Sequence, residues 1–75
     1  MDYAILATLW DGPATLPELV AAVYDRTGRS VNPSLVDTYL RLLERFGFIE
    51  RRFSGQSSYV IAERGSVFLA YAATA

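Results

Sequence analysis

Between Asn32 and Gly47 the side chains sort onto two faces. At helical spacing Val36, Tyr39, Leu40, Leu43 and Phe46 fill one side, with Leu35 and Leu42 at its margin. Ser34, Thr38, Arg41 and Arg45 fall opposite, flanked by Asp37 and Glu44. The ends of this stretch are equally marked. The Asn32 side chain can accept from a free amide of the first turn, and Pro33, with no amide of its own, suits the first helical position. Gly47 can take the left-handed conformation that closes a helix, and Arg45 puts a cation near the carboxyl end of the dipole. The pattern predicts a helix over 33–46 with one face to bury and one to present.

The same reading extends along the chain. Ile5, Leu6, Leu9 and Trp10 predict a first helix over 2–10, which Asp11-Gly12-Pro13 stops. Ala14-Thr15-Leu16 reads as a short extended link. Thr15 followed by Glu18 matches a capping box with Pro17 in the first turn, so a second helix runs over 16–27 until Gly28. Its buried stripe is Leu16, Leu19, Val20 and Val23, with Tyr24 beside it. After Gly47 the period changes to that of strands: 48–53 and 58–62 form a hairpin about a turn at 54–57. From Glu63 onward the chain reads as a last helix, apolar nearly all round, which requires a cover of some kind. The order defines a mainly α fold with a small β-hairpin, in one domain over 1–75, with a helix–turn–helix at its centre.

Composition narrows the chemistry. With 75 residues, no cysteine and no histidine, the chain has no disulfide, no thiolate metal site and neither the commonest general base nor the commonest zinc ligand. It also lacks a glycine-rich phosphate loop and any close cluster of carboxylates, so no catalytic residues, metal or cofactor are expected and an enzyme is disfavoured. No apolar run reaches the length of a membrane span, and a cytoplasmic setting fits the absence of cysteine. A hydrophobic fraction of 52% is high for so short a chain, and a subunit interface is the simplest destination for the surplus. Net charge is −1, but it is unevenly spread. Residues 1–25 carry four acids and no base, whereas residues 26–64 carry seven arginines against four acids, a net of +3. Arginine is suited to bidentate contact with phosphate or guanine.

The segment Ile5-Leu6-Ala7-Thr8-Leu9-Trp10-Asp11-Gly12-Pro13, with Leu16-Pro17-Glu18-Leu19, resembles the first helices of PadR-like and MarR-like transcriptional regulators. Leu40-Arg41-Leu42-Leu43-Glu44-Arg45-Phe46-Gly47-Phe48-Ile49-Glu50 is similar to the end of that family's recognition helix and the root of its wing. Tyr59-Val60-Ile61-Ala62-Glu63-Arg64-Gly65 is similar to the passage from wing to last helix. Asp37 on the outer side of the helix, and Ala62 where the family commonly has a capping threonine, depart from the pattern.

The resemblance implies a winged helix–turn–helix that binds double-stranded DNA. Helix 33–46 would lie in the major groove and wing 48–62 on the flanking backbone. The DNA-contacting set would be Asn32, Ser34, Thr38, Arg41 and Arg45 on the helix with Arg51, Arg52 and Gln56 on the wing. A homodimer through the first and last helices would use Tyr3, Leu6, Trp10, Phe68, Leu69 and Tyr71. The alternative left open by the low net charge is a winged-helix adaptor that binds a protein partner rather than DNA. A dimer pocket of Tyr3, Trp10, Phe68 and Tyr71 would also suit a planar ligand.

Overall fold

The computed structural model describes residues 2–53 and 55–74. Among these the order is α1 (Asp2–Trp10), α2 (Leu16–Thr27), α3 (Pro33–Arg45), β1 (Ile49–Phe53), β2 (Ser57–Ile61) and α4 (Glu63–Thr74). Helix boundaries follow the local chemistry. At the start of α2 the Thr15 amide and hydroxyl both donate to Glu18 Oε1 at 2.9 Å, and these bonds hold the Glu18 carboxyl below its ordinary value. Asn32 caps α3, its Oδ1 accepting from the Ser34 amide at 2.8 Å. The far end of α3 closes in a Schellman motif: Phe48 N–H donates to the Leu43 carbonyl at 2.8 Å, Gly47 N–H donates to that of Glu44 at 3.0 Å, and Gly47 takes φ 80°.

β1 and β2 pair antiparallel from Ile49↔Ile61 to Phe53↔Ser57. Each strand differs from the expected limits at one end or by one residue, and the predicted turn includes Ser54, which lies outside the described residues. The link before α2 does more than connect. Ala14 bridges to Tyr59, with Ala14 N–H donating to the Tyr59 carbonyl at 3.1 Å and Tyr59 N–H returning at 2.8 Å. That bridge joins the hairpin to the helical core and buries both residues. The result is a winged helix–turn–helix.

The core draws on every element. Ile5, Leu6 and Leu9 of α1 meet Leu19 and Val23 of α2, Val36 and Leu40 of α3, and Ile49 and Tyr59 of the hairpin, with Leu69 from α4. Three expectations are corrected here. Leu6 and Leu69 are core residues, not interface residues: α1 lies against α2, α4 and β2 at once, so its Leu6 face is covered within the protomer, as is the α4 face that bears Leu69. Phe46 is 55% exposed rather than buried, because it is the residue at which α3 ends and the backbone turns away from the core.

Gly65, buried in the first turns of α4, permits a close approach of α4 to the root of the wing and to α1. A Cβ there would overlap the Phe48 carbonyl oxygen and crowd Ile61 Cγ1 at 3.0 Å and Leu6 Cδ2 at 3.2 Å. Since the first obstacle is backbone, no rotamer change relieves it. Gly65→Ala is expected to lower stability by about 1–3 kcal/mol, despite the better helix propensity of alanine. Urea unfolding of the two proteins checks this; an equal or higher midpoint for the variant would refute the tight approach.

Candidate nucleic-acid interface

The polar face of α3 is assembled as the side-chain pattern requires. Burying Val36, Leu40 and Leu43 turns Ser34, Thr38, Arg41 and Arg45 to solvent, and all four are exposed. Asn32, also exposed, spends Oδ1 on the cap, which leaves its side-chain amide as the outward donor. The Thr38 hydroxyl donates to the Ser34 carbonyl at 3.0 Å, so toward a ligand it offers its oxygen as an acceptor. Arg41 Nε lies 3.1 Å from Asp37 Oδ2, one helical turn away. This ion pair is largely solvated and of little consequence for stability, but it steers the guanidinium along the helix surface. Arg45 has no ion pair among the described residues.

The two wing arginines are placed differently. Strand alternation turns Arg51 toward the core side of the ribbon and Arg52 away from it. The Arg51 guanidinium lies over the Tyr59 ring, 5.6 Å from its centroid, and its Nη2 is 3.7 Å from Glu44 Oε1 on α3. Its Nε is buried without a hydrogen-bond partner. Arg51 therefore joins wing to helix, whereas Arg52 stands out in solvent with Glu50 3.7 Å away. Gln56 is exposed at the hairpin end. Thus α3 gathers Ser34, Thr38, Arg41 and Arg45 on one exposed face, whereas Arg52 and Gln56 are exposed on the hairpin, Arg52 on the side of the ribbon away from α3.

Two residues outside the expected set shape this surface. Arg64 Nη1 donates to the Phe46 carbonyl at 2.9 Å, fastening the end of α3 to α4. Phe53 is 75% exposed at the outer end of β1. The first is a contact between distant residues with no local signature. The second was legible as an aromatic at a strand end, and only its solitude was not.

Helices α1 and α4 also bear exposed aromatics. Tyr3, Trp10, Phe68 and Tyr71 are all exposed, Trp10 to 59%. Tyr3, Ala7 and Trp10 line an open groove of about 420 Å³ with Leu69 and Ala70 of α4 and with Asp11 and Arg26. Phe68 lies elsewhere, edge-on to Phe48 with centroids 5.8 Å apart, so the four aromatics do not converge on one pocket. No three potential metal ligands come together among the described residues, and no described helix is long and apolar enough to cross a membrane.

The fold is shared with transcription regulators. A transcriptional regulator from Clostridium thermocellum superposes with a TM-score of 0.86 at 18% sequence identity, covering 97% of this chain and 76% of that one. More particularly, the chain has the winged-helix fold of the PadR-like proteins. Bacillus subtilis PadR, solved in complex with operator DNA, superposes with a TM-score of 0.80 at 24% identity over 93% of this chain. The match takes in 44% of the PadR chain. No protein-family model matches the sequence, and no curated protein matches it significantly.

The different settings of the wing arginines predict different costs. Arg51→Ala should lower stability by about 1 kcal/mol, through loss of the cation–π contact and of the stem packed against Tyr59. Arg52→Ala should stay within about 0.5 kcal/mol of the parent. Thermal unfolding monitored by circular dichroism compares them, and equal effects would mean that Arg51 does not hold the wing.

Proposed function

We propose that this domain is the DNA-binding part of a transcriptional regulator. Helix α3 enters the major groove by its amino-terminal half, and the hairpin lies on the flanking backbone. The observation that carries this reading is the exposed polar face of α3, set beside a wing, in a fold shared with PadR, whose solved complex contains operator DNA. Ser34, Thr38 and Arg41 face base edges; Asn32 and Arg45 meet phosphates. Arg52 and Gln56 reach the neighbouring backbone, and Arg51 supports them by fixing the wing against α3. One such module covers only about 600–1,000 Å² of surface, which favours two copies reading two half-sites. Tyr3, Trp10, Phe68 and Tyr71 supply the outward apolar surface of α1 and α4 for that pairing. The role assigned is binding, without catalysis.

An adaptor role is supported by different observations: the net charge of −1, the Asp37–Arg41 pair within the polar face, and the exposed Leu35, Leu42 and Phe46 along one margin of α3. Titration against mixed-sequence duplex DNA at low and moderate salt separates the two. For DNA binding, affinity should fall steeply with salt, and Arg41→Ala should weaken it roughly ten-fold. Arg52→Ala should reduce the slope of log affinity against log salt by about one. No retention of duplex at low salt, or unchanged binding in both variants, refutes the DNA reading.

Pairing has its own test. Trp10 is exposed, so Trp10→Glu should leave the fold intact and convert a dimer to a monomer in sedimentation equilibrium. A parent protein that is monomeric at micromolar concentration excludes the pairing.

A further inference from the structure

One face of the hairpin runs from root to tip as Ile49 with Ile61, Arg51 with Tyr59, and Phe53 with Ser57, because directly paired residues share a side of the ribbon. This is the face toward α3, since Arg51 reaches Glu44 from it. The first pair is packed in the core, and in the second Tyr59 is buried while Arg51 is partly covered. The third has passed beyond the core, leaving the Phe53 ring 75% exposed. Its placement does not serve the hairpin. An aromatic that stabilises a two-stranded ribbon is opposed by another large side chain, and Phe53 is opposed by a serine. The surroundings do not repel a polyanion: from Arg51 to Ala62 there is no carboxylate, and the two acids nearby, Glu44 and Glu50, each lie 3.7 Å from an arginine, Arg51 and Arg52 respectively. Glu50, the nearest acid in sequence, lies on the opposite face of the strand, next to Arg52.

We infer that Phe53 is an apolar contact for the minor groove of duplex DNA, seated there while α3 occupies the adjoining major groove. The inference rests on the DNA-binding reading of α3 and assigns a contact outside that reading's polar set. The arrangement follows from the tie between wing and helix. Glu44, Arg51 and Tyr59 hold the ribbon alongside α3, so its tip lies across the backbone that borders the groove α3 fills. Beyond that backbone is the minor groove, whose deoxyribose walls and base-step edges accept apolar side chains, phenylalanine among them. Arg52, next in the chain and exposed, is set to meet the phosphates at the rim. The aromatic ring then leaves water on binding, and a partial opening of one base step accompanies it.

The test compares the full chain with Phe53→Ser and Arg52→Ala on one duplex recovered from a random pool by the parent protein. Phe53→Ser should keep the parent melting temperature, because the ring packs on little. It should bind roughly ten-fold more weakly with an unchanged salt slope, the mark of a lost apolar contact rather than a lost ion pair. Arg52→Ala should lower the slope. In a series of duplexes with 2-aminopurine stepped along the site, the parent should brighten one step outside the segment protected by α3, and Phe53→Ser should not. If the parent binds duplex and Phe53→Ser matches it in affinity and in 2-aminopurine signal, the Phe53 inference is overturned while the reading of α3 stands. If the parent binds no duplex, both fall.

Discussion

Everything in this domain turns on the contact between α4 and the root of the wing. Where Gly65 passes the Phe48 carbonyl, three elements approach to within the space of a missing methyl group. The same carbonyl accepts the Ala62 amide at 3.0 Å, Arg64 reaches back to Phe46, and Phe68 covers Phe48. Each of these bonds alone is modest, on the order of 1 kcal/mol. Together they fix where α3 stops, where β1 starts and how α4 leaves. The angle between α3 and the hairpin is therefore a property of packed backbone, not of a flexible hinge.

That rigidity explains a division of labour among the arginines. Seven cations between Arg26 and Arg64 look interchangeable in sequence, yet the fold uses them differently. Arg64 anchors α3, Arg51 lies on Tyr59 and toward Glu44, and Arg41 is steered by Asp37, whereas Arg45 and Arg52 extend outward. The net charge is slightly negative, yet Asp37 and Glu50 each lie beside an arginine, at 3.1 and 3.7 Å, so the charge along α3 and the wing is locally balanced rather than acidic.

Helices and caps were legible from residue order because their causes are local. Asn32-Pro33, Thr15 with Glu18, and Gly47 each act within a turn of the helix they delimit, and α3's polar face follows from its period. What was not legible depends on residues far apart in the chain. Leu6 and Leu69 look like surplus apolar surface until α1 is seen to be covered on several sides. Phe46 fits the helical face by spacing, but the helix ends at it. Arg51 and Arg52 are adjacent and identical, and only the ribbon's facing separates them. Gly65 reads as a weak helix residue and proves to be a place where no side chain fits.

The bridge between Ala14 and Tyr59 carries a consequence for how the domain forms. It joins a residue near the start of the chain to one in its last third, so the loop it closes contains all of α2, α3 and β1. Ordering so long a loop for two hydrogen bonds is unfavourable until the helices have already condensed around Leu19 and Leu40. The hairpin's orientation thus depends on the packed helices as much as on the bridge itself. The surface that α3 and the wing present side by side is therefore an attribute of the completed fold, not of α3 alone.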